Sequence, residues 1–338
     1  KMLLALMPVR ASVARNEAGA HATLRLRAAL DGLIIGEAQH HCNLTVFPLF
    51  HTSDDTAEYL LLEEALATGL AKVEEVSDAG SVPELLVRNR GDKPVLIPEG
   101  EVLTGAKQNR VVNITVMVAA KADLIIPVSC VEQGRWRHNA PGFASTHYAP
   151  PEMRGGKSRS VNSQRSQRGA AQSDQGKVWE DVAGSLRRMK VDSPTDSLTE
   201  GMDCTRDRRH GYRKHVRLPE GASGAIAATG NRVLAVDCFD APAPMVKLWD
   251  RIADAYFFQA TMSSEAVGKT PKDVAEAFVR EIAERAVPAE KTIGAGVEFV
   301  IDTDTASGTA LWYGESLCHL SACFAAERAD GSTRHAET

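Results

Sequence analysis

PVLIPEGEVLTGAKQNRVVNITVMVAAKADLIIPVSCVEQGRWRH, residues 94–138, is the stretch on which the reading of this chain turns. Its apolar runs at 95–97, 111–118 and 124–131 read as short buried strands. Around and between them stand Glu99, Glu101, Lys107, Gln108, Asn109, Arg110, Glu132, Gln133, Arg135 and Trp136, bracketed by Gly100, Gly105 and Gly134. Charged groups at the ends of core strands are costly unless they are paired, hydrogen-bonded or solvated in a cleft. Two readings follow. The set is either a polar binding site, with glycines that let backbone approach closely, or an ion-pair network that fastens strands together.

Upstream, residues 32–36 and 43–50 read as strands, with Pro48 favouring a sheet edge. Residues 60–68 form a short helix that Gly69 can stop, and 71–76 and 84–87 are strands. Downstream, 139–176 is Ser, Gln, Gly, Pro and Arg with hardly an apolar residue, which predicts a flexible basic loop, either a lid or plain disorder. A helix over 178–189, a hairpin over 221–239 and a helix over 244–260 come next. Thr270 can cap a further helix with Pro271 in its first turn, and strands follow at 296–301, 309–313 and 317–324. In the last strand Leu317, His319, Ser321 and Cys323 alternate with Cys318, Leu320, Ala322 and Phe324.

The expected fold class is α+β: short mixed or antiparallel sheets with a few amphipathic helices packed on them. The expected organisation is an N-terminal extension (1–30), a β-rich half (31–138), the basic loop (139–176), a second half (177–326) packed on the first as one globular unit, and a tail (327–338).

Composition narrows the class. The chain has 338 residues, 43% apolar and 25% charged, as in a soluble globular protein. Net charge is −5, but 139–177 carries +4 and 204–217 carries +5, which leaves −14 on the rest. Such segments can steer an anionic ligand or fold back on the acidic body. With 18 aromatic residues, few of them in those segments, a nucleic-acid stacking platform is poorly supplied. Six scattered cysteines without C-x-x-C spacing point to reduced thiols in a cytoplasmic protein. The apolar run near the N-terminus is short and broken by Pro8, so it is not read as an export signal, and no run approaches a membrane span.

Motifs exclude several enzyme classes. The sequence lacks a G-x-S-x-G elbow, a G-x-x-x-x-G-K-[ST] loop and an H-E-x-x-H pair. His40, His41 and His51 flank one strand without metal-ligand spacing and read as ordinary histidines. Glu99, Glu101 and Glu132 are the candidate catalytic carboxylates, acting as acid and base or holding Ca²⁺ or Mg²⁺. Lys107, Arg110 and Arg135 suit a carboxylate, phosphate or oxyanion, Gln108 and Asn109 orient a polar substrate, and Trp136 supplies a flat wall. Cys130, His138 and His319 are further candidates, although Cys130 lies in an apolar strand where a small buried thiol is the commoner case.

The series E-G-E, G-A-K-Q-N-R and C-V-E-Q-G-R-W, with NLTVFPLF before it and VLAVDCFDAP after it, resembles one bacterial family across roughly residues 31–324. It is the ARG and rhodanese-phosphatase-superfamily-associated protein domain, named for association with ADP-ribosylglycohydrolases and rhodanese–phosphatases. The resemblance implies a soluble bacterial protein linked to ADP-ribose or other nucleotide-derived metabolites, and it carries no catalytic residue over. Three functions are therefore weighed. One is a hydrolase of an ester, lactone or N-glycosidic bond, another a non-catalytic nucleotide-like ligand sensor or protein-interaction module, and the third a nucleic-acid binder.

Overall fold

A computed structural model describes residues 20–52, 55–77, 80–137, 142–264 and 267–325. The fold is α+β. Its backbone is a nine-stranded antiparallel sheet, in the order Ile34–Ile35, Leu44–Phe50, Gly224–Thr229, Arg232–Phe239, Ser316–Phe324, Ala306–Tyr313, Val297–Asp302 and Val287–Pro288, with Gln39–His41 also paired to Leu44–Phe50. The organising stretch builds two smaller sheets. Phe143–Tyr148, Glu101–Gly105, Arg110–Val112, Asp123–Cys130, Glu84–Asn89 and Ala71–Glu75 form one of six strands. Val116–Val118, Val95–Ile97 and Leu60–Leu61 form one of three. The predicted run 111–118 is thus two strands in different sheets, separated by Asn113, Ile114 and Thr115.

Among the described residues the α-helices, in chain order, are α1 (residues 20–31), α2 (Leu62–Ala67), α3 (Pro151–Arg168), α4 (Gln175–Met189), α5 (Leu198–Cys204), α6 (His210–His215), α7 (Pro242–Met262) and α8 (Lys272–Arg285). Both faces of the large sheet are covered. Ile226, Val236 and Leu320 pack with Leu26 and Leu30 of α1 and Phe278 and Ile282 of α8. Ala225, Ala227 and Ala235 pack on the other side with Leu248, Ile252 and Tyr256 of α7 and with residues of α4 and the six-stranded sheet. Val73, Val87, Leu103, Val112 and Val128 make a third cluster within the smaller sheets.

Four expectations change. The expected loop over 139–176 is not one across its described part, 142–176, which holds the edge strand Phe143–Tyr148 and the 18-residue α3, while 139–141 lie outside the described residues. The helix lacks an apolar stripe because its buried face is polar, with Arg154, Lys157, Ser158, Val161 and Asn162 recurring at helical spacing. Residues 20–31 of the expected extension are helix α1, which packs into the core because Ala22, Leu26 and Leu30 share one face. Leu44–Phe50 is an interior strand. Pro48 is tolerated because its ring nitrogen faces the break between Ile34–Ile35 and Gln39–His41, where its carbonyl accepts from Gly36 N at 2.8 Å. Thr270 is not the cap of α8. Its hydroxyl donates to Gly230 O at 2.6 Å, and the helix starts after Pro271 with no side-chain cap.

Candidate functional site

The predicted site residues fall into three groups that the sheets hold apart. The first surrounds Glu99, which follows Val95–Ile97 and whose backbone N–H donates to Thr115 Oγ1 at 3.0 Å. Helix α3 brings Arg154 and Lys157 to it. Arg154 Nε donates to Glu99 Oε2 (3.0 Å), and its two terminal nitrogens donate to Asp237 Oδ2 (3.0 Å) and Oδ1 (2.5 Å). Lys157 Nζ lies 2.8 Å from Glu99 Oε1 and donates to the Val112 and Asn113 carbonyls. Ser321 Oγ donates to Glu99 Oε2 at 2.6 Å, and the Tyr256 hydroxyl donates to Asp237 Oδ2 at 2.5 Å. His319 belongs here too, with Nδ1 2.7 Å from Thr115 Oγ1 and Nε2 3.8 Å from Asp237.

Every member of this group is buried. Burial alone would raise both carboxyls, but Arg154 carries Asp237 down to about 2, and Lys157 and Arg154 hold Glu99 below the usual carboxylate range. Two carboxylates thus meet two cations, and burial keeps His319 below its ordinary value. Glu99 is part of a closed ion cluster that ties α3 to two sheets, and Gly100 makes room for it. A Cβ at Gly100 (φ +86°) would lie 2.4 Å from Arg154 Nε.

The second group gathers Gln108, Asn109, Arg110, Cys130, Glu132, Arg135 and Trp136. Arg135 grips Glu132 through Nε (2.9 Å) and Nη2 (2.7 Å) and also donates to the carbonyls of Gly105, Ala106 and Arg137. Glu132 additionally accepts from Asn109 N and Thr195 Oγ1. Burial opposes its charge, but these donors, Arg135 first, keep it below the usual range. Gln108 donates to Glu132 O (3.0 Å) and accepts from Arg110 Nη1 (3.1 Å), while Asn109 donates to Thr199 Oγ1 (3.1 Å). Trp136 is 48% exposed, with its ring 5.8 Å from the Arg110 guanidinium and 5.4 Å from Lys107 Nζ. Cys130 is a buried thiol, pushed up by burial. His138 lies outside the described residues.

The third group centres on Glu101, buried at the start of its strand. The Ser145 hydroxyl on the paired edge strand donates to Oε1, while Oε2 has no hydrogen-bond partner. Arg251 of α7 reaches the same place. Its Nη1 donates to Ser145 Oγ (2.5 Å) and Ser145 O (3.1 Å) and stands 3.9 Å from Glu101 Oε1, and its Nη2 pairs with Glu63 at 2.6 Å. Burial pushes the Glu101 carboxyl up to about 7, against the downward pull of Arg251 and Ser145.

Glu99, Glu101 and Glu132 therefore do not make a ligand set for Ca²⁺ or Mg²⁺. Each carboxylate is turned to its own partners, and among the described residues no group of three His, Cys, Asp or Glu side chains is placed to hold a metal ion. The three histidines near Leu44–Phe50 are likewise engaged separately: His40 with Thr45, His41 stacked on His215, and His51 at 3.4 Å from the Cys238 thiol. Sequence reasoning missed Arg154, Lys157, Asp237, Ser145 and Arg251. The i, i+3 spacing of Arg154 and Lys157 is the signal that was available.

Half of the twelve Lys and Arg side chains in the basic segments are buried or half-buried, while Arg168, Lys177, Arg206, Arg208, Lys214 and Arg217 are exposed. Arg165 is bidentate on Glu298, Arg159 donates to Thr303 O, Arg209 is bidentate on Asp254, and Arg213 pairs with the same carboxylate. Cations committed in this way are not presented to a phosphate backbone. Two cavities lie away from the predicted residues. One of about 370 Å³ runs along α7 between Trp249, Phe257, Val246 and Leu218, with Arg213, Arg217, Glu220 and Asp250 beside it. Another of about 240 Å³ lies by Phe47, Lys269 and Lys272.

Fold and clusters together define an α+β protein whose polar strand-end residues are organised by buried arginines. The ARG and rhodanese-phosphatase-superfamily-associated protein domain matches residues 32–323, and the chain belongs to that family. No curated protein and no solved structure matches the chain. No helix among the described residues is long and apolar enough to cross a membrane.

Proposed function

We propose that the protein is a hydrolase of a small polar substrate, with Glu101 as general base and Ser145 as the attacking hydroxyl. The observation that carries this reading is a buried carboxyl poised at about 7 and hydrogen-bonded to a serine hydroxyl that a guanidinium also contacts. General bases work best when their pKa lies near the working pH, and a nucleophile needs its base within hydrogen-bond reach. Glu99 and Glu132 are held ionised by the cations and donors beside them, which suits them to structure. As Ser145 Oγ bonds to the carbonyl carbon of an ester or lactone, Glu101 takes its proton and Arg251 faces the developing oxyanion. The C–O bond then breaks, the proton passes to the leaving oxygen, and water attacking the acyl-serine through the same base restores the hydroxyl.

The test is turnover of a panel of lactones, aryl esters and ADP-ribosyl compounds by the wild-type protein, Glu101→Gln and Ser145→Ala. Turnover that falls at least about 100-fold in both variants is expected from the usual worth of general-base catalysis. Folded variants with full activity would overturn the assignment. A second reading, a ligand sensor, is favoured by the cavity beside Trp249, which is of a size that takes small molecules. Thermal stabilisation by ligand without turnover is its signature.

A further inference from the structure

Arg110 is fully buried, yet only one of its guanidinium nitrogens is hydrogen-bonded, Nη1 to Gln108 Oε1. Nε and Nη2 have no hydrogen-bond partner. These two N–H groups form the side-on edge of the guanidinium, the edge that meets both oxygens of a carboxylate or phosphate at once. The nearest acid, Glu75, does not fill it. Its Oε1 stands 4.0 Å from Nη2, its side chain is 7% exposed, and neither of its oxygens has a hydrogen-bond partner.

The other buried arginines behave differently. Arg154, Arg209 and Arg135 are matched by carboxylates, hydroxyls and carbonyls. A buried polar group without a partner is destabilising, so a facing donor edge and acceptor pair, both unmatched, marks a place meant for something else. The place is bounded. The Trp136 ring covers Arg110 from the solvent side, and a Cβ at Gly80 would lie 3.2 to 3.4 Å from Lys107 Cδ, Trp136 Cζ2 and Glu75 Oε2, so these side chains converge on that backbone.

We infer that Arg110 and Glu75 form a recognition site for a small oxyanion bearing an adjacent hydroxyl, a 2-hydroxy carboxylate or an alcohol phosphate. Two ligand oxygens take the Arg110 edge, the ligand hydroxyl donates to Glu75, and Trp136 lies against the carbon skeleton. An anion without the hydroxyl leaves Glu75 unmatched beside its charge and is discriminated against, since a site built to hydrogen-bond a hydroxyl rejects the analogue that lacks it. The site does not depend on chemistry at Glu101, and its test reads binding alone.

The probes are lactate and glycerol 3-phosphate, with propionate and inorganic phosphate as the partners lacking the hydroxyl. Binding is followed by calorimetry and by tryptophan fluorescence in wild type, Glu75→Gln, Arg110→Lys and Trp136→Phe. At least one hydroxylated probe should bind ten-fold or more tighter than its partner. Glu75→Gln should shrink that ratio several-fold while leaving the unhydroxylated anion bound as well or better, and Trp136→Phe should remove most of the fluorescence change. Should Arg110→Lys fail to fold, the Glu75→Gln ratio decides alone. The inference is overturned if no probe binds, if hydroxylated and plain anions bind alike, or if Glu75→Gln leaves the ratio unchanged. Preference for lactate or for glycerol 3-phosphate separates the two ligand sources.

Discussion

Three glutamates that look alike in sequence have different fates, and the cations around them decide which. Glu99 and Glu132 are each met by close nitrogens, whereas the Arg251 guanidinium stands 3.9 Å from Glu101. The native Glu101 carboxyl therefore holds its proton more tightly than in the unfolded chain. Stability from this group is full below its ordinary 4.5 and is lost as pH rises through about 7, by ~3 kcal/mol at 1.36 kcal/mol per pKa unit. Asp237 acts in the opposite sense, since its contribution is present above 3.8 and lost as pH falls through about 2. Glu101→Gln should therefore gain on wild type between pH 4.5 and 7.5 in urea unfolding. Parallel pH–stability curves for the two proteins would contradict that reading of Glu101.

At the scale of the element, α3 explains most of what the sequence hid. Amphipathic helices with apolar stripes, such as α4 and α7, were legible because burial and hydrophobicity coincide along them. In α3 they do not. Its inward positions are Arg154, Lys157, Ser158 and Asn162, which a hydrophobic pattern scores as solvent-facing and which become buried only because Glu99 and Asp237 wait on the sheets. The last strand was placed correctly, but its register with Ala306–Tyr313 skips Cys318, and the bulge moves Leu317 to the face of Leu320 and away from His319. Gly155 and Gly156 test how α3 docks. A Cβ at Gly155 would lie 1.8 Å from Phe324 O, whereas at Gly156 the nearest atom is Asp181 Oδ2 at 3.4 Å. Gly155→Ala should lower stability by about 1–3 kcal/mol or more, as overpacking does. Gly156→Ala should be neutral or stabilising by up to ~1 kcal/mol in the same thermal melts, since alanine is the better helix former. Equal effects at the two positions would mean that α3 does not pack as described.

For the whole molecule, the α+β class followed from short strands and scattered helices, and the residues of the organising stretch do lie at the ends of core strands. What could not be read was their division among three sheets and the partners brought to Glu99 from 55 residues away on α3 and 222 residues away on the last strand, because a long-range polar contact leaves no local pattern. Helix α1 makes the same point. Its Leu26 is fully buried against the large sheet, so Leu26→Ala should cost about 2–5 kcal/mol by chemical denaturation, where a detached extension would show no change. The proposed chemistry rests on one carboxyl being ready to exchange a proton at neutral pH. Carbon-13 NMR of the glutamate side-chain carboxyls across pH 3 to 9, with Glu101→Gln to assign the signal, measures this directly. A Glu101 resonance titrating at about 7 is the expected result, and one titrating at or below 4.5 would contradict its role as the base.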